Sequence, residues 1–245
     1  MHPVLFTLGD VTIYSYGVLT LASWVIAGAL LLRATHTLKV PPNTAIQLGL
    51  FMLGGGILGG RLGFLIINRG ASLRELISFG GGSIFFTAVL GGLIALALGA
   101  RWLQRPVWTA LDLITPAIVG AWAIGNAGCF LAGCCVGNPT SGPFGMVFSA
   151  DQTPLEFRGV HVHPVQLYAL MLEGGVVALW FLWSKAAPGA RFLSAVASLL
   201  LMKVAFASTG IAGGSSVVVI YGYTAVAAIA VVLGLLVGRS SRLTA

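Results

Sequence analysis

Apolar runs long enough to cross a bilayer follow one another along almost the whole chain, and this repetition restricts the fold more than any single motif. They cover 13–32, 44–67, a third run that opens on the glycine-rich segment 78–83 and ends at Arg101, a fourth from Trp108 into a cysteine stretch, then 164–183, 192–211 and 217–237. Only 8% of the residues are charged and 58% are hydrophobic, too few polar groups to cover a water-soluble globule. Strand-like alternation is absent from these runs, so helices are expected in place of a barrel. The chain is read as an all-α integral membrane protein with about seven transmembrane helices. No linker or repeat divides it, and 1–245 is taken as a single polytopic membrane domain.

The charges set an expected orientation. Arg33, Lys39, Arg101, Arg105, Lys185, Arg191, Arg239 and Arg242 fall on one side of the spans, whereas Arg69, Arg74 and Arg158 fall on the other. The positive-inside rule makes the first side cytoplasmic, with the amino terminus periplasmic and the carboxyl terminus cytoplasmic. The net charge of +7 is spread singly near span ends, so nucleic acid is not an expected partner. Met1 to Asp10 has no basic region, and no cleavable leader is expected.

Polar groups inside such spans are costly and therefore informative. Arg61, in G-G-R-L-G-F, carries a charge whose insertion at a helix centre costs roughly 2.5–3.5 kcal/mol. Its guanidinium could grip a lipid phosphate with two parallel bonds, or form a structural ion pair with Asp112 or Glu173. Asp112 and Asn126 are two heptads apart on one helix face, with Cys129 a turn beyond, which makes either a polar stripe leading to thiols or a hydrogen-bonded packing stripe. Ser83, after three glycines, reads as the cap of the third helix, whose exposed amides suit an anionic headgroup. Pro164 suits a first helical position, and His163, Gln166 and Glu173 recur at helical spacing. Histidine titrates near neutrality and can take a proton from a thiol or hydroxyl.

All three cysteines fall in 125–140, reading G-N-A-G-C-F-L-A-G-C-C-V-G-N-P-T. Cys129, Cys134 and Cys135 admit readings as nucleophiles or acceptors, a redox pair, or small packing residues. Neighbouring Cys134 and Cys135 would need a distorted peptide to join, so Cys129 with either is the easier disulfide. Zinc would need a fourth ligand such as His161 or His163, and the spacing matches no familiar zinc pattern, so no metal is assigned.

Several of these stretches, in order, resemble the bacterial prolipoprotein diacylglyceryl transferase family. Tyr14-Ser15-Tyr16-Gly17 resembles its first-span motif, Gly59-Gly60-Arg61-Leu62-Gly63-Phe64 its G-G-R-L-G-Y, and the Gly80 to Gly92 region its glycine-rich segment. D-L-I-T-P from Asp112, together with 125–140, is similar to the family signature, and His163-Pro164-Val165-Gln166-Leu167-Tyr168 to its H-P-S-Q-L-Y, continued by Glu173-Gly174. The chain departs from the pattern at Asn126, Cys129 and Cys134, where the family usually has arginine, asparagine and glutamate. It has no histidine in the glycine-rich segment, and Lys203 alone aligns with the sixth-span R-x-x-E-x-x-R.

The resemblance implies a multi-pass enzyme of the bacterial inner membrane, working at the periplasmic face without a cofactor. Its partners would be phosphatidylglycerol and a lipoprotein precursor or other acceptor. Carried over residue by residue, His163, Arg61 and Asp112 are the catalytic candidates, and Tyr16, Ser83, Asn126, Gln166, Tyr168, Glu173 and Lys203 the substrate-binding ones. Two other readings stay open: a catalytically silent lipid-binding or partner protein on the same scaffold, and a membrane thiol redox protein using Cys129, Cys134 and Cys135.

Overall fold

The computed structural model describes residues 2–9, 11–68, 84–183 and 185–211. Six helices dominate: α1 (Ser15–Leu38), α2 (Pro42–Ile67), α3 (Phe85–Trp102), α4 (Val107–Ala132), α5 (Val165–Leu182) and α6 (Ala190–Ser208). All but α3 are long and apolar enough to cross a membrane, and Phe86–Trp102 add a shorter apolar stretch. At 1.5 Å per residue the 24 residues of α1 reach about 36 Å, more than the hydrocarbon layer needs. The expected seventh span, 217–237, and the glycine-rich segment with Ser83 lie outside the described residues. The helix after that segment opens at Phe85 with Ile84 in the cap position and no side-chain cap.

The fold is not purely helical. Strands β1 (Val4–Leu8) and β2 (Val11–Tyr14) form an antiparallel hairpin in which Leu8 pairs with Val11 and Thr7 with Thr12. A second short pair, β3 (Met146–Val147) with β4 (His161–Val162), ties the middle of the long loop between α4 and α5 to its carboxyl-terminal end.

The described backbone groups into two compact units. One takes in residues 34–114 and 186–192. Within it α2 and α3 meet along glycines: a β-carbon built at Gly59 would fall 2.9 Å from the Gly91 Cα, and one at Gly63 would collide with the Thr87 side chain. Small residues four apart let two backbones touch, which is how membrane helices associate when no water drives them together. The Asp112 carboxyl accepts from the amides of Gly189 (2.7 Å) and Phe192 (2.8 Å), so a side chain on α4 caps the first turn of α6. Gly189 adopts φ 84°, and a β-carbon there would press into the Trp108 indole, so both the turn and the packing require glycine.

The other unit takes in residues 1–33, 115–185 and 193–220, as far as they are described. Its α5 and α6 pack through Ala169, Met202 and Phe206, with Tyr168 edge-on to Phe206 at 6.2 Å between ring centres. Fully buried Phe148 meets Phe130 edge-on and anchors the long loop to α4. The Thr153 hydroxyl donates to the Gly133 carbonyl at 2.7 Å and pins the same loop to the end of that helix.

Candidate functional site

The end of α4 is built by a recognisable stop. Gly133 enters the left-handed region at φ 78°, its amide donates to the Phe130 carbonyl (3.2 Å), and the Cys134 amide reaches back to the Cys129 carbonyl (3.1 Å). This pair of bonds is the Schellman arrangement, which glycine favours because it has no β-carbon to clash. It folds the chain back over the last helical turn and delivers Cys134 and Cys135 to Cys129. The three sulfurs all lie within 4.8 Å of one another, and those of Cys134 and Cys135 are 3.7 Å apart. Cys135 is itself left-handed at φ 58°, a conformation that costs a residue with a β-carbon roughly 1–2 kcal/mol. Hydrogen bonding among the three thiols, chiefly with Cys129 and Cys134, and the charge of Lys203 pull the Cys135 thiol below its ordinary range.

Beside the thiols, between the amino-terminal hairpin and the end of α4, is a cavity of about 530 Å³. Pro3, Tyr14, Tyr16, Ala132, Cys134 and Gln152 line it. Its size falls within the roughly 300–1,000 Å³ of small-molecule sites. The Tyr16 ring packs against Gly128 of α4, and the close fit holds the start of α1 at the cavity wall.

Helix α5 carries the polar groups that face this region of α4. Gln166 is 1% exposed, and its side-chain amide donates to the Cys134 carbonyl. Its carbonyl oxygen is buried with no hydrogen-bond partner, a position that costs roughly 1–3 kcal/mol until a donor arrives. Two turns on, the buried Glu173 accepts from the Asn126 side chain at 2.8 Å, and the Lys203 charge acts on the same carboxyl. His163 precedes the helix, half-buried, with Nδ1 3.3 Å from the Tyr168 hydroxyl.

Of the residues singled out from sequence, Tyr16, Asn126, Gln166, Tyr168, Glu173, Lys203, His163 and the three cysteines fall in the unit that holds the cavity. Arg61 and Asp112 fall in the other. Arg61 is half-buried on α2, two residues off the glycine ridge and therefore about 160° round the helix from it. The room left by Gly59 and Gly63 is thus taken by α3. Asp112 and Asn126 share α4 as expected, but one is turned to the start of α6 and the other to α5. Thr153 and Gln152 were not anticipated, because a D-Q-T-P run in a polar loop reads only as a turn. The hairpin had a signal in the sequence, where Gly-Asp between two apolar runs fits the pattern of a two-residue turn.

Known proteins match the same stretch of chain. The family model described as prolipoprotein diacylglyceryl transferase matches residues 3–208. The phosphatidylglycerol–prolipoprotein diacylglyceryl transferase of Clostridium tetani is 32% identical over 186 residues, which is 75% of this chain and 74% of that protein. The enzyme of the same name from Bordetella parapertussis is 30% identical over 210 residues, 82% of this chain and 78% of its own. A second clostridial protein, from Clostridium perfringens, is 29% identical over 187 residues, 74% of this chain and 72% of that one. With its series of apolar helices and this match over most of its length, the chain is a multi-pass membrane protein and belongs to the prolipoprotein diacylglyceryl transferase family.

Proposed function

We propose that the protein moves a diacylglyceryl group from phosphatidylglycerol to the thiol of a lipoprotein precursor, at the periplasmic face of a bacterial inner membrane. Seven spans, an outer amino terminus and an inner carboxyl terminus belong to this reading, as does the treatment of 1–245 as one functional domain. The observation that carries it is the cavity beside Tyr16 and Cys134, in a chain of this family. Its wall of aromatic and aliphatic groups suits the apolar part of a lipid, and Gln166 supports that wall from behind by donating to the Cys134 carbonyl.

In the reaction the acceptor sulfur attacks the glycerol carbon that bears the phosphate ester. A C–S bond forms, the C–O bond breaks, and glycerol phosphate leaves with the electron pair. His163 takes the thiol proton, since a thiolate is the effective nucleophile and the imidazole is held by Tyr168. Lys203, in the unit that holds the cavity, meets the phosphate charge, as a stationary cation stabilises a leaving anion best, and Arg61 keeps the phosphate-binding role that the family pattern gives it. Asn126, Glu173 and Tyr16 shape the site, and Asp112 acts on it only by fixing the start of α6.

The test is turnover by the full chain in vesicles of labelled phosphatidylglycerol with a lipobox peptide. Thioether-linked product is expected, reduced by about 100-fold or more in His163→Ala and in Arg61→Ala. Retained lipid without product would instead support the catalytically silent lipid-binding reading.

A further inference from the structure

We propose that Cys129, Cys134 and Cys135 form a three-thiolate site for a soft monovalent metal ion of the Cu(I) type. Three sulfurs held at about 2.3 Å around one ion in a plane stand about 4.0 Å from each other. The observed separations, 3.7 Å for one pair and none above 4.8 Å, need only small side-chain rotations to match. The backbone already brings the thiols together through the bond from Cys134 to Cys129, so little ordering is left for the ion to impose.

The spacing C-x₄-C-C resembles no common zinc pattern, and for that reason the sequence assigns no metal. Its logic is instead that of a helix stop, which places the two residues after a left-handed glycine against the last turn. A packing role does not account for Cys135, which is exposed and left-handed, a place where glycine or asparagine is the easy choice. A redox pair leaves one thiol without a part. Among the described residues no histidine or carboxylate completes the group, whereas zinc takes four ligands. Three thiolates alone suit a soft ion that accepts trigonal coordination. Binding displaces whatever protons the thiols still carry and changes no oxidation state, and three thiolates with one monovalent ion leave a net charge of −2, which the nearby Lys203 ammonium partly offsets. The exposed edge of Cys135 and the cavity beside Cys134 provide the way in.

The experiment uses the full chain in detergent micelles, loaded with Cu(I) under argon and challenged with a Cu(I)-specific chelator. It needs neither lipid substrate nor lipobox peptide, so its outcome is separate from that of the transfer assay. One ion per chain is expected to survive, with X-ray absorption showing three sulfur neighbours at about 2.3 Å. Cys135→Ser, at an exposed position, should keep the wild-type melting temperature and weaken Cu(I) by more than the roughly 10–100-fold typical of a lost supporting partner. Nitrogen or oxygen neighbours in the wild-type spectrum, or equal copper retention by a chain with all three cysteines replaced by serine, would overturn the proposal.

Discussion

The side-chain amide of Asn126 donates to the Glu173 carboxyl across 2.8 Å, joining α4 to α5 at a depth where both helices are otherwise apolar. Removing one partner leaves the other buried and unsatisfied. Glu173→Ala should therefore destabilise the fold by roughly 1–3 kcal/mol, and Glu173→Gln by less, because the amide can still accept. Unfolding in mixed micelles, run as a double-mutant cycle with Asn126→Ala, measures the coupling. A cycle that closes with no interaction energy would remove the pair from the account of α4 and α5.

Asp112 gives a prediction that separates support from chemistry. Its carboxyl satisfies the amides of Gly189 and Phe192, so Asp112→Ala should lower stability by roughly 1–2 kcal/mol. Asparagine caps nearly as well, and Asp112→Asn should recover most of the loss. Melting temperature and turnover per folded molecule are the two readouts. A stable Asp112→Asn protein that has lost turnover would show that the carboxylate takes part in the reaction itself.

The glycine contact between α2 and α3 leaves no room for a side chain. Gly59→Leu and Gly91→Leu must each push the helices apart, at roughly 1–3 kcal/mol or more for overpacking. Gly54→Leu, where nothing lies within 4 Å, is the control and should be nearly neutral. Thermal stability of the three variants in one detergent is sufficient to compare them.

Gly133→Ala tests the stop at the end of α4. Alanine there carries a left-handed cost of roughly 1–2 kcal/mol or forces the turn to change. The thiols should then lose their common orientation and react with a thiol reagent as three independent groups. A single cooperative phase, unchanged from wild type, would mean that the helix stop does not organise them.

The helices were readable because burial in lipid demands long uninterrupted apolar runs. The runs that reach 13–32 and 44–67 became α1 and α2 with ends shifted by a few residues. Asn126 and Glu173 were recognisable for the same reason, as polar groups too costly to leave alone in such a helix. What they bond to was not readable, since partners 47 residues apart follow from packing. Asp112 shows the limit most clearly: a carboxylate in a span signals a partner of some kind, and only the fold reveals that the partners are backbone amides at the start of α6. The amino-terminal hairpin escaped because Val4–Leu8 are nearly all apolar, so no alternation marks them as a strand.

The stop at Gly133 also turns chain length into a ruler. One residue inserted between Cys129 and Gly133 would rotate Cys129 by about 100° away from the returning pair, while leaving the hydrophobicity of α4 and the number of sulfurs intact. Among sequences that share this stretch, the interval between the cysteines, more than their presence, should distinguish chains able to assemble the trio from those that merely contain it.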